Sequence, residues 1–144
     1  MSKIIIASDH GGYKLKEKIK KYLLSQKYKV IDAGTNSEES CDYPVFGKEA
    51  AKQVVATKGA RGILICTSGI GMSIVANKVK GIRAGLCNYV EDASFARKHN
   101  DTNVLVLAAK RCKGKKAFEI IDTWLNTKFD GGRHARRVRQ IEKI

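Results

Sequence analysis

Five short apolar runs punctuate the chain, and a polar or helix-period stretch follows each one. The runs are Lys3–Ser8, Tyr28–Ala33, Gly62–Cys66, Ile82–Cys87 and Val104–Ala108. Short apolar runs bounded by glycine or turn residues predict strands buried on both faces of a parallel sheet. Between them, Leu15, Ile19, Tyr22 and Leu23 recur at helical spacing and predict a helix reaching about Gln26. Thr35 to Asp42 is polar and reads as a loop. Pro44 suits the first turn of a helix running to about Thr57. Further helices are predicted from Met72 to Lys78 and from Glu91 to His99. Another runs from Lys115 to Thr127, with Phe118, Ile121, Trp124 and Leu125 facing inward. Gly131-Gly132 breaks the chain before a last, very basic helix, Arg133 to Ile144. No repeat or linker interrupts the series, which predicts a single domain over 1–144. Strands alternating with helices predict a doubly wound, five-stranded parallel α/β sheet.

Right-handed crossovers put the strand-to-helix turns of such a sheet at one edge. Ligands bind there, outside the carboxyl ends of the strands. The edge would carry Asp9-His10, the turn from Cys66 to Gly71, and the turn after Cys87. The segment Gly62 to Ser73 is the most informative of these. A buried strand ends at Cys66 and passes through Thr67, Ser68, Gly69 and Gly71 into a helix. Free N–H groups and the positive end of a helix dipole make an anion site. The same position lowers a thiol's pKa and favours the thiolate. A base thus stands beside a cradle for developing negative charge. Taken alone, the segment is equally compatible with a tight turn and a core cysteine, since cysteine is among the most buried residue types.

Composition narrows the function. The net charge of +14 points to anionic partners. Many of the lysines, Lys14, Lys16, Lys18, Lys20 and Lys21 among them, are expected on a solvated helix face. The four cysteines, Cys41, Cys66, Cys87 and Cys112, form no Cys-x-x-Cys pair, so they are read as reduced thiols and no metal site is expected. No segment approaches the ~18 consecutive apolar residues of a membrane span. The start of the chain lacks a signal peptide's apolar region, so a cytoplasmic protein with no membrane partner is expected. A nucleic-acid-binding role for the basic last helix is one rival. Low aromatic content, 7%, and the lack of a recognised motif count against it. A sugar-phosphate-binding regulator without catalysis is another.

Six short motifs occur in register: Ser8-Asp9-His10-Gly11-Gly12, Asp42-Tyr43-Pro44, Ile65-Cys66-Thr67-Ser68-Gly69-Ile70-Gly71, Ala76-Asn77-Lys78, His99-Asn100-Asp101 and Gly131-Gly132-Arg133-His134. Together they cover nearly the whole chain. The set resembles the family of ribose-5-phosphate isomerase type B and galactose-6-phosphate isomerase. That resemblance implies a Rossmann-like fold and metal-free, cofactor-free interconversion of an aldose phosphate and a ketose phosphate. It implies Cys66 as the base moving a proton between C1 and C2, with His99 assisting ring opening and Asp9 holding the sugar. Ser68 joins this catalytic set. Thr67, Ser68, Gly69, Ile70 and Gly71 would cradle the enediolate, with Tyr43 also at the substrate. His10, Arg133 and Arg137 would hold the phosphate, with Asn100 nearby. The family also implies a homodimer, or a tetramer built on it, whose sites are shared. His99, Asn100 and the C-terminal arginines then reach into the partner's site.

Elementary chemistry fits these roles. Removing a proton α to a carbonyl needs a base and a place for the resulting oxyanion. Arginine's fork geometry suits a phosphate, and Arg133 and Arg137 lie one helical turn apart. Plainer roles stand beside these: His134 as a cap or solvent-facing group, Tyr43 as a packing residue, His99 as a complement to a helix dipole. Two positions depart from the family pattern. Thr67 stands where glycine is usual, and a β-branched residue there predicts negative φ. Lys110 stands where a phosphate-binding arginine is usual and is followed by Arg111, so either can fill that role. The alternative substrates are six-carbon sugar phosphates, allose 6-phosphate or galactose 6-phosphate. Galactose 6-phosphate isomerases pair dissimilar subunits, and the type most like this chain at its start lacks the Asp-His pair or the cysteine. This chain has both, which favours ribose 5-phosphate.

Overall fold

The computed structural model describes residues 3–144. The strands are β1 (Lys3–Ser8), β2 (Lys29–Asp32), β3 (Arg61–Cys66), β4 (Ala84–Leu86) and β5 (Val104–Ala108). The helices are α1 (Tyr13–Ser25), α2 (Tyr43–Ala56), α3 (Ile70–Asn77), α4 (Val90–Lys98), α5 (Lys115–Asn126) and α6 (Arg133–Glu142). All strand pairs are parallel, in the order β2-β1-β3-β5-β4. The fold class expected from the apolar pattern is the one observed.

Side-chain alternation along the central strands builds two cores. Ile4, Ile6, Ile63, Ile65, Leu105 and Leu107 face α1, α4 and α5. Ile5, Ala7, Leu64, Cys66, Val104 and Val106 face α2 and α3. Strands buried on both faces read as continuous apolar runs, which is why these elements were legible. The edge strands are shorter than their runs. Tyr28, Ala33, Ile82 and Cys87 fall outside β2 and β4, because an edge strand pairs on one side only. α3 starts at Ile70 rather than Met72, since Gly69 at φ +76° turns the chain into the helix. The inner face of α5 is Ala117, Ile120, Ile121 and Trp124. Phe118 and Leu125 lie at its half-buried margin, with Phe118 stacked on Tyr22 at 4.3 Å.

One lysine departs from the expected solvated face. Lys16 is fully buried, and its ammonium donates to both carboxylate oxygens of Asp32 at 2.7 and 2.6 Å. Lys20 donates to the same carboxylate at 2.7 Å. A charge is tolerated out of water only when paired and hydrogen-bonded. The cluster thereby ties α1 to β2, on which the β1–α1 turn depends. Burial opposes ionisation of Asp32, but the two lysines and the Gly34 N–H outweigh it and hold the carboxyl below its ordinary range.

Replacing Asp32 with Asn leaves the buried Lys16 with only the longer contact to the half-buried Glu17 carboxylate, at 3.4 Å. By the usual effect of breaking such a pair, about 3 kcal/mol of stability is lost, read by denaturant unfolding at neutral pH. Lys16→Met, which removes the charge, costs less. A carboxyl whose folded pKa is depressed adds stability above its unfolded pKa, and this is lost as the pH falls through the folded value. The wild type therefore loses an acid-sensitive increment that Asp32→Asn lacks.

Candidate active site

Strand order decides where the site forms. The chain leaves β1 toward β2 on one side and returns through α2 to β3 on the other. The carboxyl ends of β1 and β3 are thus adjacent at the switch point, where a crevice opens. A cleft of about 420 Å³ lies there, lined by Asp9, Tyr43, Cys66, Thr67, Ser68, Ile70, Gly71 and Ile74.

Asp9 follows β1 and is buried. Its Oδ1 accepts the Gly12 N–H at 3.0 Å, which caps a short 3₁₀ turn. Oδ2 accepts no hydrogen bond among the described residues, so the carboxylate is oriented with one oxygen to spare. Gly12 is required by close approach: a Cβ there would lie 2.8 Å from the Ile65 carbonyl oxygen. A Cβ on Gly11 would collide with the Thr67 hydroxyl, so the β1 and β3 turns meet side by side.

Cys66 ends β3 and is 5% exposed. Its carbonyl accepts the Ala109 N–H at 2.9 Å, and the Thr67 carbonyl accepts the Lys110 N–H at 3.0 Å. These bonds fix the turn against the segment after β5. Thr67 is not among the residues with positive φ, as its β-branched side chain predicts. The N–H groups of Thr67, Ser68 and Gly69 have no acceptor among the described residues. Those of Gly71 and Met72 belong to the first turn of α3, where no intrahelical acceptor exists. These donors collect in the turn where the sequence places the candidate cradle. The Ile70 N–H donates to Ser68 Oγ at 3.2 Å, which leaves the hydroxyl proton of Ser68 available. Tyr43 opens α2, and its ring lies against Gly71, where a Cβ would stand 2.5 Å from Cε1.

The remaining candidates lie elsewhere on this chain. His10 is exposed, and its Nδ1 accepts the Cys41 N–H at 3.2 Å, which places the proton of the neutral ring on Nε2. Lys110 touches the site turn through its backbone and does not line the cleft. His99, the residue following α4, stacks on His134 with ring centroids 4.3 Å apart. Burial, with the charges of His99, Arg133 and Arg137, lowers the His134 pKa. Asn100 lines a different cavity. Arg133 and Arg137 are exposed on α6 and form no salt bridge among the described residues. One chain therefore brings Asp9, Cys66 and the Thr67–Gly71 turn into one cleft, while His10, His99, Asn100, Lys110, Arg133 and Arg137 lie outside it.

The second cavity is larger, about 790 Å³, and lies between the end of α3, β4, α4 and the end of α6. It offers no base. Burial pushes the Cys87 thiol on its wall up to about 12, and Asp92 accepts the N–H groups of Asn88 and Tyr89. Burial also raises Cys112. Sequence reasoning missed Ile74, an apolar residue one turn after Ile70. Both are more than half exposed at the cleft rim. Their i, i+4 spacing on the outer side of a helix was the available signal. It also missed the Cys41 N–H that orients His10, a long-range contact with no local pattern.

This arrangement sets a buried cysteine beside unpaired backbone N–H groups at the switch point of a doubly wound sheet. The chain belongs to the Ribose/Galactose Isomerase family, whose model matches residues 4–141. It is 42% identical over 144 residues to the ribose-5-phosphate isomerase B of Escherichia coli, spanning 100% of this chain and 97% of the relative. The Clostridium thermocellum ribose-5-phosphate isomerase B superposes with a TM-score of 0.96 at 49% identity, covering 98% of this chain and 95% of that one. The Mycoplasma genitalium ribose-5-phosphate isomerase B, solved with bound ribulose-5-phosphate, superposes with a TM-score of 0.93 at 38% identity, covering 98% and 94%.

Two glycines separate positioning from stability. In Gly12→Ala the new methyl meets a backbone carbonyl, which cannot swing away. A loss of about 1–3 kcal/mol is expected in denaturant unfolding. In Gly71→Ala the methyl meets the Tyr43 ring, which can rotate toward solvent. Thermal stability should change little, while substrate affinity falls.

Proposed function

We propose that this protein interconverts ribose 5-phosphate and ribulose 5-phosphate in the cytoplasm by cysteine-base chemistry, as a homodimer with shared sites. The observation that carries the reading is the cleft at the β1/β3 switch point, where Cys66 stands beside the Thr67–Gly71 turn and Asp9. Cys66 as thiolate removes the C2 proton of the ring-opened aldose. The C–H electron pair forms the C1=C2 double bond, and the charge moves onto O1. The free N–H groups of the turn stabilise that oxyanion. The O2 proton moves to O1, the cysteine returns its proton to C1, and O2 becomes the ketone oxygen. Asp9 and Ser68 hold the sugar hydroxyls. A second copy supplies His99 for ring opening, and Asn100, Arg133 and Arg137 for the phosphate, alongside His10 and either Lys110 or Arg111. The exposed Ile70 and Ile74 at the cleft rim support an apolar contact between copies, and α6, with only Val138 buried, is the helix that reaches across.

Cys66→Ala should fold and lose roughly 10²–10⁴ in kcat, the usual contribution of a general base, measured by coupled formation of ribulose 5-phosphate. Normal turnover in the folded variant removes the cysteine from the mechanism. Mixing Cys66→Ala with His99→Ala should restore part of the activity once hybrid dimers form, because one of the two sites is then intact. Confirmed hybrids without activity would refute shared sites.

Arg137→Ala should raise KM about 10- to 150-fold, the equivalent of about 1.5–3 kcal/mol for a charged hydrogen bond. Arg136→Ala and Arg139→Ala should do little. Equal, small effects from all three would identify α6 as a solvated basic tail.

A further inference from the structure

Three metal-ligand side chains meet where α4 ends and α6 begins, outside the cleft that holds Cys66. His99 follows α4, Asp130 precedes the Gly131-Gly132 break, and His134 lies in the first turn of α6. A ring nitrogen from each histidine and a carboxylate oxygen of Asp130 all lie within 4.8 Å of one another. The backbone holds the group together. The Asp130 N–H donates to the Lys98 carbonyl at 3.1 Å, and the His134 N–H donates to the Gly131 carbonyl at 3.0 Å. The Phe95 ring also packs against His99, with centroids 5.1 Å apart. Zinc bonds of about 2.0–2.2 Å in a tetrahedron bring donor atoms to roughly 3.3–3.6 Å from each other. The half-buried imidazoles, stacked with ring planes 9° apart, close that difference by turning out of the stack so that both lone pairs face one ion, and the exposed Asp130 follows.

We propose that His99, Asp130 and His134 form an inhibitory site for a late divalent transition metal of the zinc class. Two imidazoles and one carboxylate suit zinc, nickel or cobalt, while magnesium and calcium take oxygen ligands. The neighbouring Arg133 and Arg137 sharpen this choice. Their charges oppose any cation held by charge alone, whereas imidazole lone pairs form directed bonds that survive the repulsion. Three protein ligands leave one position open, as in zinc sites that exchange a fourth ligand. A bound metal occupies a ring nitrogen of His99, which then cannot exchange a proton. Metal binding is independent of the isomerase reading; the resulting loss of turnover rests on it.

Calorimetric titration with zinc chloride, on the full chain in its native assembly, tests the site. A competing location is the Cys66 sulfur, so Cys66→Ser is titrated beside the wild type. One zinc per chain is expected in both, with no binding of magnesium chloride at the same concentration. His134→Gln and Asp130→Asn should each weaken zinc at least tenfold; even altered outer-shell partners cost metal sites about 10–100-fold. Cobalt chloride should give a tetrahedral visible spectrum that both variants lose. Zinc should inhibit the wild type reversibly with EDTA, and Asp130→Asn should need at least tenfold more zinc for the same inhibition. Absence of isomerase activity in metal-free wild type refutes the functional reading, and the titration still decides the site. The proposal is overturned if the wild type binds no zinc, if Cys66→Ser abolishes binding, or if His134→Gln and Asp130→Asn both bind zinc as tightly as the wild type.

Discussion

The adjacency of β1 and β3 is the constraint on which the rest of the structure depends. Each is buried on both faces and paired on both edges, so its chain must leave the sheet at its carboxyl end through a tight turn. The two turns leave side by side, so close that a Cβ at Gly12 would meet the Ile65 backbone carbonyl and one at Gly11 the Thr67 hydroxyl. Small residues and close packing produce the unpaired N–H groups that make a cradle for negative charge. The same adjacency sets Asp9 beside Cys66, although 56 positions separate them by number. Neither turn would have chemical value without the other.

Electrostatics divides the molecule into paired and unpaired charge. Lys16, Arg97 and Arg83, buried or nearly so, each have carboxylate partners: Asp32, Asp101, and Glu142 with Asp101. The Lys16–Asp32 pair binds α1 to β2, and Arg97 ties α4 to the loop that follows it. Arg83 in particular links the end of α6 to the start of β4. The C-terminal arginines have no such partners among the described residues, and they account for part of the +14 net charge. A positive surface left uncompensated favours anions that arrive from outside. The Lys16–Asp32 pair instead stabilises the element that carries the β1 turn.

The half-assembled site has a physical explanation. A small sugar phosphate needs groups on several sides, yet the turns of a parallel sheet present groups from one edge only. The chain places Cys66, Asp9 and the turn with unpaired N–H groups at that edge, and His99, His134 and the exposed arginines at the end of α4 and the start of α6. Exposed Ile70 and Ile74 border the first half, and a second copy closing over that rim would complete the enclosure. The His99–His134 stack shows that the outer half is organised within a single chain.

Much of this was legible in the amino-acid order. Double burial makes central strands continuous apolar runs, so β1, β3 and β5 stood out, and the glycine-rich turn after Cys66 announced an anion site. The rule that ligands bind at strand carboxyl ends brought Asp9 and Cys66 to one edge before any coordinates. Other features depended on contacts between residues distant in the chain. Lys16 reads as one more exposed lysine until α1 packs on β2 and presents it to Asp32. Thr67 reads as bulk in a turn until its hydroxyl is found against Gly11. His99 reads as a helix-end histidine until α6 folds back and lays His134 on it. Local pattern determined the elements, the two-sided core and the chemistry at the strand ends, because periodicity and turn residues act over a few neighbouring positions. Only the tertiary structure decided strand order, the partner of each buried charge and which candidates share a cleft, because those follow from long-range packing that no local spacing encodes.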